Sequence, residues 1–327
     1  MSEFEPHPPE EPESLDVSPI PPPPSRRRSN SLFWGMMGGC LLLFVLITIG
    51  TVALVAMMDV DSDIWIPSDS VAVVEIEGEI VDSRVAVDEI RAHASNPAIR
   101  AVVILVNTPG GAIVPSQEVY SEIMRARSEY EKPFVASLQG LAASGGYYIA
   151  SACDEIVTNP GTLTGSIGVI SQWMNLEGLL EWAHLESETI TAGTMKDAGS
   201  PYRSLTEAER AYFKELLDEF HEQFIVAVAK GREGKVSIDE IRALADGRVF
   251  TGEQAVELKL ADRIGTMHDA IAVAAELSGI EGVPNVVYPE EDEVRWIDLL
   301  WSARTPENLI RELVKVERPQ PFAYRWY

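Results

Sequence analysis

Three regimes of hydrophobic and polar positions divide the chain. Residues 32–58, "LFWGMMGGCLLLFVLITIGTVALVAMM", are apolar almost throughout and carry no charge. A helix of that length crosses ~30 Å of hydrocarbon. Beyond about residue 70, short apolar runs alternate with stretches of helical spacing. "VAVVEIEGEI" (71–80) reads as a strand, "SRVAVDEIRAHAS" (83–95) as a helix, and "AVVILVN" (101–107) as a strand covered on both faces. "PSQEVYSEIMRARSEY" (115–130) is amphipathic, and "PFVASLQG" (133–140) is a further strand. Short strands within 154–170, a helix over 174–184 and a strand over 186–193 follow. A helix over about 205–230 opens on a Ser204–Glu207 capping-box pattern. Short helices are expected over 237–247 and 251–260, and irregular chain after Pro284. Repeated β-α units imply an α/β fold with a largely parallel sheet.

The third regime is residues 1–31, rich in Pro, Glu and Ser, whose composition cannot bury a core and predicts disorder. The expected organisation is therefore a Pro-rich tail (1–31), a membrane-spanning anchor (32–58), a linker (59–70), a folded domain (71–285) and a C-terminal tail (286–327). Arg26, Arg27 and Arg28 precede the apolar run, and Asp59, Asp61 and Asp63 follow it. That bias predicts a cytoplasmic N-terminus and a domain outside the inner membrane.

Charge narrows the function. The formal net charge is −25, so phosphate backbones are repelled and nucleic acid is not an expected partner. The two cysteines, Cys40 and Cys153, have no metal-ligand neighbourhood, and neither a metal nor a cofactor is expected. "VNTPGGAIVPS" (106–116) leaves a buried strand through a Gly pair and enters a helix. "GLAASGGYYIASACDEI" does the same around Ser144. Glycines there let backbone N–H groups face a developing oxyanion without a side chain in the way. Read alone, either motif is also a tight turn, and Ser144 also an N-cap. A nucleophilic serine needs a base. Of His7, His93, His184, His221 and His268, only His184 is placed to serve, and no acid motif accompanies it. Lys196, in the Gly/Ser/Pro segment "ITAGTMKDAGSPYRSLT", is the other option, because burial makes a lysine easier to deprotonate. From the residue alone, a solvated loop lysine is the plainer reading. Ser166, between glycines in "TGSIGVI", competes with Ser144, and position does not separate them.

Together, "NTPGG", "GLAASGGYYIASACDEIVTNPGTLTGSIGV" and "ITAGTMKDAGSPYRSLTEAER" resemble the signal peptide peptidase SppA family in order and spacing over about residues 70–285. The single Ser/Lys set resembles its single-copy form. The resemblance implies a crotonase/ClpP-like fold of repeated β-α-β units behind one transmembrane helix. It implies a membrane-bound serine protease with a Ser-Lys dyad, acting on apolar peptides such as released signal peptides, within a homo-oligomeric ring whose dyad can be shared between chains. By match to its motifs, Ser144 is the nucleophile, Lys196 the general base and Ser166 the serine that orients the lysine. Gly111 and Gly145 match its backbone oxyanion donors. Thr108 stands where Ser is the family's commoner residue. Two rival classes are a catalytically silent membrane scaffold and a crotonase-like acyl-CoA enzyme; the second should be soluble and carry a catalytic Glu or Asp.

Overall fold

The computed structural model describes residues 31–57, 66–289 and 323–325. It divides into two units, Met1–Asp63 and Ile64–Tyr327. The Pro-rich tail, much of the linker and most of the C-terminal tail lie outside the described residues.

In the first unit the apolar run forms one helix, α1 (Ser31–Met57). Its side chains are described over residues 36–51. Among the described residues, no helix is long and apolar enough to cross a membrane.

In the second unit, strands and helices follow as β1 (Ser70–Glu77), α2 (Arg84–Ser95), β2 (Ile99–Thr108), β3 (Gly110–Ala112), α3 (Ile113–Tyr130), β4 (Phe134–Ala143) and α4 (Gly145–Ala150). Then come β5 (Glu155–Thr158), β6 (Leu163–Gly165), α5 (Glu177–Trp182), α6 (Glu207–Gly231) and α7 (Ile238–Leu244). The remainder is β7 (Val249–Thr251), α8 (Gly252–Glu257), β8 (Arg263–Ile264), α9 (Met267–Ser278), β9 (Asn285–Val287) and β10 (Ala323–Arg325). The main sheet runs β7-β6-β4-β2-β1-β9, with β5 between β4 and β8. Its pairings are parallel except β6 with β7, so the fold is α/β with a mostly parallel sheet.

Both faces of this sheet are covered, which is why its strands read as continuous apolar runs. Ala72, Val74, Val102, Ile104 and Val106 meet Ile90, Val119, Ile123 and Ile149 on one face. Val71, Val73, Ala101, Val103 and Val135 meet Ala270, Ala274 and their neighbours in α9 on the other. Each fully buried Val or Ile contributes about 1.5–3 kcal/mol. The sequence pattern did not pick out α9, because "AIAVAA" is apolar nearly all round and gives a shallow helical period.

Three expectations are corrected. No strand forms over 186–193; every residue there is exposed, Ile190 by 91%, and no neighbouring strand offers a ladder. The helix expected over 174–184 is only α5. The cap of α6 is Thr206 with Glu209, two residues beyond Ser204 and Glu207; Ser204 Oγ instead donates to Glu177 at 2.8 Å.

Candidate active site

Two strand ends lie side by side. β2 and β4 pair in parallel, with Thr108 opposite Ala142, so the Gly110–Gly111 turn and the Ser144 turn leave the sheet together. Thr108 is buried and organises the first turn: its hydroxyl donates to the Gly78 carbonyl and accepts the Gly110 N–H at 3.0 Å. Threonine thus does the work of a turn-forming serine. Its methyl also seats α4, because a Cβ at Gly146 would come within 2.6 Å of Thr108 Cγ2.

β4 pairs with β5 along its first half and with β6 along its second, where Ala143 faces Gly165. Ser144 therefore leaves the sheet tied to β6, its N–H donating to the Gly165 carbonyl at 2.8 Å. It has φ +55° and ψ −115°, a conformation costing about 1–3 kcal/mol in a non-glycine residue. The strain is held by that bond and by Tyr148 N–H donating to the Ser144 carbonyl at 2.8 Å. Ser144 is wholly buried, and among the described residues its Oγ has no hydrogen-bond partner. It is no side-chain N-cap: α4 takes no bond from it. Since α4 is only six residues long, its dipole is small, and individual N–H groups must supply any anion stabilisation.

Gly145 is packed against the other turn. A Cβ there would lie 2.6 Å from Ser116 Oγ and 3.3 Å from the Gly111 nitrogen. The two glycine amides thus lie within a few ångströms of each other beside Ser144. Ser116, which sequence reasoning passed over, is buried and donates to the Ala112 carbonyl at 2.9 Å, bracing the start of α3 against Gly145. Its only sequence signal was its position in the first turn of the helix that follows "PGG". A Cβ at Gly111 would meet the Ile80 carbonyl at 2.1 Å, so only glycine fits that point of the strand.

Ser166 is adjacent in space as well as in motif. Gly165 and Ser166 have φ +81° and +52°, and Ser166 N–H donates to the Arg248 carbonyl at 2.8 Å. Ser166 borders a cleft of about 530 Å³ with Val169, Ile170, Leu217 and His221.

Lys196 is not brought to Ser144. It lies in an exposed turn, and among the described residues its side chain makes no hydrogen bond or ion pair. The expected burial of this amine does not occur within one chain, because the strand meant to precede it has no partner to pack on. The Asp197 carboxylate is held by another cation: Arg203 Nε donates to Asp197 Oδ2 at 2.8 Å. Arg203 also bonds Glu209 through both carboxylate oxygens, and with the Thr206 N–H it brings the Glu209 carboxyl down to about 2. His184, the alternative base, is exposed at the end of α5 with φ +54°. Among the described residues, no His, Cys, Asp and Glu cluster could hold a metal ion.

The C-terminal residues, expected to be irregular, include a strand in this same place. β10 pairs antiparallel with β3, Tyr324 opposite Gly111 and Ala323 opposite Ala112. It also contacts α4. An extended segment therefore already lies along the glycine strand next to Ser144.

Comparison with known proteins agrees with these motifs. The profile of Peptidase family S49 matches residues 126–281. Over 244 residues the chain is 36% identical to a Synechocystis sp. protein that carries a protease name, covering 74% of this chain and 82% of that one. The chain belongs to peptidase family S49. Other S49 relatives are a protein of Enterococcus faecium named for signal peptide peptidase SppA, 38% identical over 53% of this chain and 50% of its own length, and Protease 4 of Salmonella typhi, 30% identical over 80% and 44%. The chain spans about half of each of these two. Membership in S49 makes the chain a protease of that family and removes the acyl-CoA reading.

Proposed function

We propose that this S49 protease is a membrane-anchored serine endopeptidase with a crotonase/ClpP-like fold, cleaving apolar peptides such as released signal peptides. Ser144 Oγ attacks the peptide carbonyl while the neutral Lys196 amine takes its proton. The Gly111 and Gly145 N–H groups receive the oxyanion, each donor contributing about 3–4 kcal/mol as in other serine proteases. Ser166 holds the lysine in line. The ammonium then protonates the leaving amine, the C–N bond breaks, and water repeats the sequence on the acyl-enzyme to release the acid.

The observation that carries this reading is β10 lying antiparallel on Gly110–Ala112 beside a strained, unpartnered Ser144. A peptide substrate bound the same way would present its carbonyl to both glycine amides. In this reading Lys196 arrives from a neighbouring copy in a homo-oligomeric ring. Its exposure supports that arrangement, as do the exposed Met174, Leu179, Trp182, Leu185 and Ile190 around the same segment. A monomer rarely leaves so much clustered apolar surface unpartnered. The charge-free run 32–58 then serves as the anchor in the inner membrane, with the N-terminus cytoplasmic.

Peptide cleavage by detergent-solubilised full-length protein tests the reading. Ser144→Ala and Lys196→Met should each lower kcat by at least about 10³-fold with the fold intact. Mixing the two variants should restore part of the activity if the residues meet across chains. Parental activity in either single variant, or fluorophosphonate labelling of Ser166 in place of Ser144, overturns it.

A further inference from the structure

Residues 181–196 are exposed without a break, and the Lys196 turn has little backbone support of its own. Lys196 N–H donates to the Gly193 carbonyl, Ala198 to Met195 and Ser200 to Asp197, each at 3.2 Å. Short turn bonds of this kind do not fix a side chain several methylenes long. What fastens the turn is Arg203. Its Nε donates to Asp197 Oδ2 at 2.8 Å and its Nη2 to the Asp197 carbonyl at 2.9 Å. Its Nη1 and Nη2 meet Glu209 Oε2 and Oε1 at 2.9 and 2.6 Å, and Nη1 also donates to the Ser204 carbonyl at 3.2 Å. All five guanidinium N–H groups are used.

The other end of the clamp is rigid. Glu209 is 4% exposed and accepts the Thr206 N–H at 2.9 Å while Thr206 Oγ1 accepts its own N–H, so the carboxylate is part of the α6 cap. Gly199, at φ +81°, packs where a Cβ would lie 2.7 Å from Trp173 Nε1, and the Trp173 ring rests on Phe213 of α6 at 4.6 Å. Arg203 thus joins the residue after Lys196 to the first turn of a 25-residue helix. It also occupies the one carboxylate adjacent in sequence to the amine. A free Asp197 would be a ready counter-ion for the Lys196 ammonium and would compete with Ser144 for it.

We propose that Arg203 is a positioning residue of the proteolytic reaction, clamping the Lys196 turn to the α6 cap and holding the Asp197 carboxylate so that it does not pair with the amine. This rests on the proposed role of Lys196 as base.

The test uses the full-length protein in detergent and a fluorogenic apolar peptide, with assembly followed by sedimentation. Arg203→Gln should lower kcat by about ten-fold or more, since small misplacements of a catalytic group cost that much. KM should stay within about two-fold, because Arg203 does not touch the peptide. Arg203→Lys, which keeps the charge beside the buried Glu209 and guards against a folding defect, should lose kcat similarly, because one ammonium cannot fork between Asp197 and Glu209. In a Lys196→Met background, Arg203→Gln should not slow fluorophosphonate labelling of Ser144 any further. A kcat within about three-fold of the parent in either assembled Arg203 variant, a KM rise matching the loss, or a further slowing without Lys196 overturns the proposal. Parental activity of Lys196→Met alone would instead remove the base assignment on which it rests.

Discussion

Ser144 holds a left-handed φ with its hydroxyl buried and unpartnered among the described residues, a state that serves packing poorly. The price of that conformation is met by backbone bonds to β6 and α4, which fix the direction of its Cα–Cβ bond. Gly145 beside it has no room for a side chain. Gly145→Ala should place a methyl against Ser116 Oγ, cost about 1–3 kcal/mol by overpacking and sharply reduce peptide cleavage. Adding Ser116→Ala removes the atom in the way, and chemical denaturation together with kcat should show partial recovery. No recovery in the double variant would mean that the Gly110–Gly111 backbone, 3.3 Å from the same methyl, is the obstacle and not Ser116. At this scale the sequence was informative: Ser144, Gly111 and Gly145 stood out by motif, and the structure gathers them. Ser116 did not stand out because it packs on Gly145, far away in sequence, and Arg203 because its six-residue spacings to Asp197 and Glu209 follow neither helical nor strand period.

At the scale of elements, strand pairing explains both the agreements and the misses. The runs 71–80, 101–107 and 133–140 became β1, β2 and β4 because each has a neighbour on both sides. The run 186–193 shares β-branched residues with them but has no strand neighbour among the described residues, and it stays exposed without a ladder. The α6 cap moved from Ser204 to Thr206 because Glu177 captures the Ser204 hydroxyl. Conversely, Ala323–Arg325 form a strand that periodicity could not reveal, since three residues have no period; the edge of β3 induces it. Because β10 lies where an extended substrate would pair, removing residues 322–327 should lower KM for a short peptide several-fold and leave kcat little changed. Steady-state kinetics on the shortened chain checks this, and an unchanged KM would show that peptide binds elsewhere.

For the whole molecule, one buried ion cluster joins parts far apart in sequence. The Arg232 side chain, wholly buried at the end of α6, donates to Asp262 Oδ1 and Oδ2 at 2.9 and 2.7 Å and to the Lys259 carbonyl. Asp262 also accepts from Lys235 and from the Ile156 N–H of β5, both at 2.7 Å. Burial alone would raise the Asp262 carboxyl; its bonds to Arg232 and Lys235 outweigh that and hold it below the usual carboxylate range. Arg232→Met should destabilise the domain by about 3–5 kcal/mol in denaturant unfolding, because Asp262 keeps only Lys235 as a charged partner. The folded-state value of Asp262 is depressed, so its contribution is complete above the usual carboxylate range and is lost as pH falls through the lower folded value. The loss in the variant should therefore shrink on acidification, and a loss that is independent of pH would show that the cluster is held by packing alone.

The sequence by itself determined the α/β class, the strands of the sheet centre, the family and the glycine-flanked serines, because burial on two faces and tight turns impose residue types that can be read locally. Only the tertiary structure decided that the two turns share one sheet end, that Thr108, Ser116 and Arg203 support them, that Lys196 faces solvent within one chain, and that the C-terminal strand lies on β3. Those outcomes depend on which strands become neighbours and which carboxylate a given cation reaches. The strand pairings arise between distant positions, and the six-residue spacings from Arg203 to Asp197 and Glu209 match no helix or strand period, so no local pattern encodes either.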